Sequence, residues 1–482
     1  MSSPRELFDR CAASLAASSR PAIAGAGTGG QAAVGGEELL SAASGLADEL
    51  RRTGVSEGSL VLLEALPPAA FVTALLAVWE RGAAALPADP ATPEAELLML
   101  RERFLPSHAV AAGPEGPRAR RLSGQAGGPG STPPGCAVMK LTSGSTGRPR
   151  GIPCTARQLA ADGRQIIAGM GLRPEDVNVA AVPLSHSYGL GSLVMPLVLH
   201  GSTLLVADPR VPETLARALS IEEPAVFPGV PYLFSMLARP DAPSVRVRGL
   251  RLCLSAGARL PAEAARAFRG RTGLPVRVFY GASEAGGICF DASDDGSAAE
   301  LEEGCVGTPL PGVEVALDEA TQRVAVRSAA VAGGYSGTDE PGGESPFREG
   351  SFLTGDTARW RLAAGRRELV LTGRVGEVVN VAGRKVDPKE IERALRALDG
   401  VREAVALGVG DAVRGESLVA CLAAGPGVTR DRVMAHLRAE LAAWKLPKKI
   451  LFYDDLPRNE RGKHDMEALR RAAGGPEREA ER

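Results

Sequence analysis

Short apolar runs that alternate with helix-patterned stretches do most to narrow the folds open to this chain. Residues 60–66 form an apolar run, 69–80 have helical character, and 83–86 form a second short run. Strand, helix and strand in that order mark a parallel sheet, because parallel strands need a crossover between them. Runs at 177–182, 203–206, 225–227, 250–254 and 276–279 repeat the pattern, with helical stretches between them. Past about residue 310 it gives way to short β segments with turns, at 313–317 and 322–327. A chain of 482 residues exceeds one hydrophobic core, so two or more domains are expected.

A boundary falls near residues 373–377, dividing the chain into 1–374 and 375–482. Beyond it, 377–381 reads as a short strand, and Asp387-Pro388-Lys389-Glu390 supplies an N-cap, an N1 proline and an N3 glutamate. Ile391, Leu395 and Leu398 share one helical face, and Gly400 ends the helix. Strands at 404–409 and 417–423 and a helix at 430–444 complete a compact α+β module. Residues 106–136, rich in Gly, Pro, Ala and Arg, read as a solvent-facing connector.

That connector leads into residues 140–151, Lys-Leu-Thr-Ser-Gly-Ser-Thr-Gly-Arg-Pro-Arg-Gly. Glycines let a backbone approach a bulky anion, hydroxyls donate to it, and Arg148 and Arg150 neutralise it. The stretch reads as a phosphate cradle, although no Gly-Lys-Ser/Thr closes it in the Walker manner. The net charge of −1 gives no global basic field for nucleic acid or an anionic membrane. No apolar run reaches about 18 residues, so no membrane span is expected. MSSPRELFDR is no signal peptide, and seven cysteines without a CxxC pair point to a reducing cytoplasm.

Two motifs mislead. Gly25-Ala-Gly27-Thr-Gly29-Gly30 satisfies GxGxxG, but no helix follows directly, so a hairpin tip is expected instead of a dinucleotide site. Gly281-Ala282-Ser283-Glu284-Ala285 comes close to a nucleophile elbow and leaves a hydrolase as a rival reading. Only His436 and His464 follow it in the chain, and His436 sits in a helical pattern. With its flank, Tyr280 to Glu284 offers a ring to stack a base, a hydroxyl for phosphate and a carboxylate for Mg²⁺. Asp356 follows a tight turn and suits a ribose diol. Arg374 stands at the domain boundary, and Lys463 lies on a polar loop.

In this order and spacing, the motifs resemble the adenylate-forming superfamily of acyl- and aryl-CoA synthetases, adenylation domains and luciferases. The resemblance implies a large α/β N-terminal domain with parallel-type sheets and a distorted β-barrel, and a small mobile α+β C-terminal domain. It also implies a two-step reaction in which a carboxylic acid and Mg·ATP give an acyl-adenylate and pyrophosphate. The acyl group then passes to a thiol, on CoA or on the phosphopantetheine of a carrier protein. By the same resemblance, Thr142, Ser143, Gly144, Ser145, Thr146 and Gly147 hold the β- and γ-phosphates. Gly257 and Ala258 lie beside adenine, Tyr280 stacks on it, Ser283 touches phosphate and Glu284 ligates Mg²⁺. Asp356 binds the ribose diol, Arg374 contacts ribose or phosphate, and Lys463 bridges the substrate carboxylate and the α-phosphate. Gly383-Arg384-Lys385 matches the face used for thioester formation.

The sequence departs from the family at Arg150, where lysine is usual, at Ser283, where threonine is usual, and at the hinge, where Gly376 stands. In Leu184-Ser-His186-Ser-Tyr188-Gly189 no aspartate is present to pair an amino acid's ammonium, which favours a fatty or aromatic acid. His186 is then a wall or gate of the acyl pocket. Gly281, Gly286 and Gly287 leave room there, favouring an elongated acyl chain. Only about twenty residues follow Lys463, so a free-standing enzyme is expected. The competing readings are a stand-alone amino-acid adenylation domain and a non-catalytic nucleotide-binding homologue.

Overall fold

The computed structural model describes residues 2–26, 33–114, 116–122, 132–143, 149–293, 295–296, 298–337, 345–374, 378–411, 415–458 and 464–474. It divides into two compact units. The first comprises 1–90, 101–141 and 151–375, and the second 91–100, 142–150 and 376–482.

In the first unit the five apolar runs at 177–279 form adjacent parallel strands. Their spatial order is Thr203–Val206, Val177–Ala180, Ala225–Gly229, Leu250–Ser255 and Val276–Ala282. Both faces of this sheet are covered, so the runs are largely apolar; among the exceptions, Asn178 is buried and Arg251 and Arg277 are half-buried. Beyond Val276–Ala282 the sheet turns antiparallel through Gly286–Phe290, Cys305–Pro309, Arg366–Arg374, Ser351–Ala363, Arg323–Ser328 and Val313–Leu317. The implied distorted barrel is therefore corrected: among the described residues these strands extend the parallel sheet and do not close on themselves.

A second sheet carries Leu60–Glu64 parallel to Ala84–Pro87. The helix between them, Pro68–Glu80, has nine buried residues and is apolar nearly all round, as an interior helix must be. Within it Trp79 is fully buried and donates its indole N–H to the carbonyl of Ala137 at 3.0 Å. The expected connector also needs correcting. His108–Gly113 pairs parallel to Leu60–Glu64 and antiparallel to Gly116–Arg121, so its first part belongs to the sheet. Pro21–Gly25 and Val34–Gly35 form the antiparallel hairpin expected around the misleading glycine motif, whose residues 27–30 lie outside the described set.

Helix Ala156–Met170 matters most for the site. Thr155 and Gln158 form a reciprocal capping box, and Gly171 closes the helix at φ +58°. It packs Leu159 and Ala160 into one core and Ile166 and Met170 into the other. Between these two pairs it buries a carboxylate, Asp162, which is 3% exposed.

The second unit holds a sheet in the order Arg384–Val386, Val379–Val381, Gly415–Ala424, Val401–Asp411, with Lys449–Tyr453 parallel to Gly415–Ala424. Asp387 caps helix Pro388–Arg396 by accepting from the Lys389 amide at 2.8 Å. Ile391, Leu395 and Leu398 are buried in the core of this unit, as their spacing requires. Each such aliphatic burial stabilises the unit by about 1.5–3 kcal/mol. Glu390, the N3 residue, ion-pairs with buried Lys445 at 2.8 Å.

Candidate functional site

The site in the first unit is organised by the hairpin of Val276–Ala282 and Gly286–Phe290. Its turn carries Ser283 and Glu284, and a register shift after Tyr280 bends the strand into it. Glycine is required on both arms. A Cβ on Gly281 would lie 2.7 Å from the carbonyl of Gly286. Gly286 has φ +73°, and its Cβ would meet Asp162 Oδ1 at 2.4 Å. A Cβ on Gly287 would come within 2.7 Å of Leu310. These three glycines therefore serve close packing. They do not open the acyl space expected of them, and they no longer favour an elongated chain.

Tyr280 is buried and its hydroxyl donates to Asp356 Oδ2 at 2.8 Å. Burial first, and then the charge of Asp356, raise the phenol well above its ordinary pKa, so it remains a donor. Asp356 and Arg374 are register partners on neighbouring strands, and Arg374 Nη1 lies 3.5 Å from Asp356 Oδ1. The Asp356 amide donates to Thr354 Oγ1 at 3.1 Å, fixing the backbone of the tight turn. Aromatic ring, carboxylate and guanidinium thus converge from three strands.

The turn meets the segment 184–189. Ser187 Oγ donates to Ser283 Oγ at 2.8 Å, and the rings of Tyr188 and Phe279 lie 5.9 Å apart. Glu284 takes two bonds: Tyr335 Oη donates to its Oε1 at 2.9 Å, and the Ala332 amide donates to its carbonyl at 2.8 Å. His186 Nε2 pairs with Asp89 Oδ2 at 2.8 Å. Gly257, at φ +83°, is exposed and Ala258 half-buried in the segment after Leu250–Ser255.

Sequence reasoning did not assign roles to Asp89, Ser187, Thr354 or Tyr335. Ser187 stood inside a quoted motif, and Asp89 lies just past the strand Ala84–Pro87. Tyr335 stood in no motif and had no signal in the sequence. The near match to a nucleophile elbow is excluded by local structure: a strand, not a helix, follows the turn. His436 Nε2 bonds the Ala394 carbonyl at 2.8 Å, a packing role.

Thr142 is half-buried near the end of strand Cys136–Ser143. Gly144, Ser145, Thr146, Gly147, Arg148, Gly376 and Lys463 lie outside the described residues, as does the side chain of Ser143. In the second unit Arg458 and His464 flank 459–463, and both bond Glu403, at 2.6 Å and 3.0 Å. The hairpin bearing Arg384 and Lys385 turns through Ala382 and Gly383.

Known proteins share both the sequence pattern and the fold. Residues 126–336 match the AMP-binding enzyme family, and residues 390–463 match the AMP-binding enzyme C-terminal domain. Benzoate–CoA ligase of Thauera aromatica is 31% identical over 69% of this chain and 65% of its own length. The chain thus spans just under two thirds of that relative. Feruloyl-CoA synthase of Amycolatopsis sp is 29% identical over 91% of this chain and 93% of its own. The fold matches the amide bond synthetase McbA of Marinactinospora thermotolerans, with a TM-score of 0.81 at 24% identity over 97% of this chain and 99% of that one. It also matches a malonyl-CoA ligase in a ternary product complex with methylmalonyl-CoA and AMP, with a TM-score of 0.76 at 27% identity over 93% and 99%. The chain belongs to the AMP-binding enzyme family.

Proposed function

We propose that the protein is an ATP-dependent acid–thiol ligase that activates an aromatic or fatty carboxylic acid and passes the acyl group to CoA. One observation supports this above the others: Tyr280, Asp356 and Arg374 form one hydrogen-bonded and ion-paired unit fit for a nucleoside monophosphate. The ring offers a stacking face for adenine. The Asp356 carboxylate accepts from a ribose diol, and the Arg374 guanidinium balances its charge and that of a phosphate.

The reaction runs in two displacements. A carboxylate oxygen attacks the α-phosphorus of ATP, the bond to the bridging oxygen breaks, and pyrophosphate leaves. A thiol sulfur then attacks the acyl carbon, the acyl–phosphate bond breaks, AMP leaves and the thiol proton passes to solvent. The first step demands charge neutralisation and in-line placement more than covalent help from the protein. Lys463 is the residue proposed to reach both reactants, and Thr142, Ser143 and residues 144–147 to grip the departing pyrophosphate.

Among the described residues no cluster of three or more His, Cys, Asp or Glu could hold a metal with protein ligands alone. The carboxylate of Glu284 fits Mg²⁺, which is commonly bound through one or two carboxylates together with substrate phosphates. Glu284, oriented by Tyr335, would hold it. When bound, the ion neutralises phosphate charge.

An aromatic acid is favoured over a long chain. The glycines near the turn are filled by packing, the Tyr188–Phe279 pair lines the same region, and the benzoate and feruloyl ligases are relatives. Among the described residues no helix is long and apolar enough to cross a membrane. Seven buried, unbridged cysteines suit a reducing cytoplasm. The test is ATP/pyrophosphate exchange across aryl, fatty and amino acids, followed by CoA and a carrier protein as acceptors of the best acid. Exchange with amino acids alone, or nucleotide binding without exchange, would overturn the proposal.

A further inference from the structure

Lys140 opens the glycine-rich stretch but plays no part in the reaction as proposed. It is 6% exposed, and Asp162 is 3% exposed. The Lys140 ammonium lies 3.9 Å from Asp162 Oδ2, with buried Cys154 beside it. Glu284 is near enough to act on the same ammonium through its charge. Burial pulls the amine down, but Cys154, Asp162 and Glu284 together outweigh it, and the amine is held above its ordinary value. A buried charge is costly unless paired, so this cluster has a fixed geometry.

Asp162 uses its other oxygen elsewhere. Oδ1 accepts from the amide of Gly287 at 2.9 Å, and the carboxylate presses so closely on Gly286 that no Cβ fits between them. Gly286 and Gly287 begin the return arm of the hairpin whose turn bears Ser283 and Glu284. Helix Ala156–Met170, rigid through its capping box, supplies Asp162. The strand that supplies Lys140 continues directly to Thr142. One buried pair therefore ties the base of the phosphate stretch, a capped helix and the carboxylate-bearing turn together.

We infer that Lys140 and Asp162 are positioning residues for Mg·ATP: the buried pair locks the hairpin arm that sets where the Glu284 carboxylate stands. This rests on the nucleotide reading under Proposed function. Glu284 is aimed by groups on both sides, Tyr335 at its carboxylate and the Asp162–Gly287 bond at its backbone arm. Partners of this kind, one step removed from a metal ligand, are worth roughly 10- to 100-fold in affinity or activity.

The experiment measures Mg·ATP and metal-free AMP dissociation by calorimetry, without acid, on the full chain and on Lys140→Met and Asp162→Asn. Asn keeps the shape of Asp162 and an oxygen for Gly287 but leaves the Lys140 charge without its carboxylate. The double variant Lys140→Met/Asp162→Asn, which buries no unpaired charge, is therefore measured alongside should either single variant fail to fold. The expected result is Mg·ATP binding weakened roughly 10- to 100-fold. AMP, which needs Tyr280 and Asp356 but not Glu284, should stay within about twofold. Equal weakening of both nucleotides, or a lowered Tm with unchanged Mg·ATP binding, would overturn the inference and leave the ligase reading intact. A wild-type chain that binds neither nucleotide would overturn both.

Discussion

The hydroxyl of Tyr280 donates to Asp356 Oδ2 at 2.8 Å, joining residues that stand 76 positions apart in sequence. The bond makes one unit of a stacking ring and a carboxylate. The ring cannot tilt without moving the acceptor, and the carboxylate keeps one oxygen committed and turns the other toward Arg374.

Tyr280→Phe removes that bond and keeps the ring. Hydrogen bonds to charged groups contribute about 1.5–3 kcal/mol, so kcat/KM for ATP should fall roughly 10- to 100-fold. The KM for the carboxylic acid should stay near the wild-type value, because the change sits at the nucleoside. ATP/pyrophosphate exchange at varied ATP and at varied acid separates the two. A loss confined to the acid would place Tyr280 in the wrong subsite.

Lys463→Ala should slow acyl-adenylate formation by roughly 10²-fold or more. Transfer from a supplied acyl-adenylate to CoA should survive. Equal loss in both half-reactions would remove the lysine from its proposed place. Glu403 bonds both Arg458 and His464, on either side of residues 459–463. Glu403→Gln should therefore slow the first half-reaction more than the second, by a smaller factor than Lys463→Ala.

The parallel sheet was legible because most residues of its strands are buried, and such strands read as short, largely apolar runs. The C-terminal module was legible from Asp387, Pro388 and the spacing of Ile391, Leu395 and Leu398. What escaped was nonlocal or carried by backbone. The strand Gly116–Arg121 is polar and charged because it lies at a sheet edge, so hydrophobic periodicity could not reveal it. His186 finds Asp89 across 97 positions, and no local pattern encodes that pairing. Gly281, Gly286 and Gly287 show a further limit. A glycine in sequence signifies either open space or a contact too close for a side chain, and here Leu310, the neighbouring backbone and Asp162 decide for contact.

The cysteines should be silent in the native chain. All seven are buried and unbridged. Burial pushes the thiols of Cys11 and Cys136 up to about 12, so almost none is thiolate at neutral pH. A chromogenic disulfide reagent at about pH 8, just below the ordinary thiol pKa, should release no rapid signal from folded protein. After denaturation it should release seven equivalents, one for each cysteine. Fast reaction of even one thiol in the native state would contradict this burial.

Between Val379–Val381 and Arg384–Val386 the chain reverses in a loop of two residues, since Val381 pairs with Arg384. Both loop residues have positive φ, Ala382 at +50° and Gly383 at +86°. That pattern matches a type I′ hairpin, which favours Asn-Gly over Ala-Gly because a Cβ without a local hydrogen bond is strained there. Ala382→Asn should stabilise the second unit by roughly 0.5–2 kcal/mol. Ala382→Val should do the opposite, since a branched side chain tolerates positive φ least. The turn presents Arg384 and Lys385, the pair assigned by resemblance to thioester formation. Ala382→Val should therefore slow acyl transfer to CoA while leaving ATP/pyrophosphate exchange near the wild-type rate. Thermal melts of the three proteins test the first claim, and the two half-reactions measured separately test the second. A Val variant that loses both half-reactions in parallel would show that the hairpin supports the fold alone.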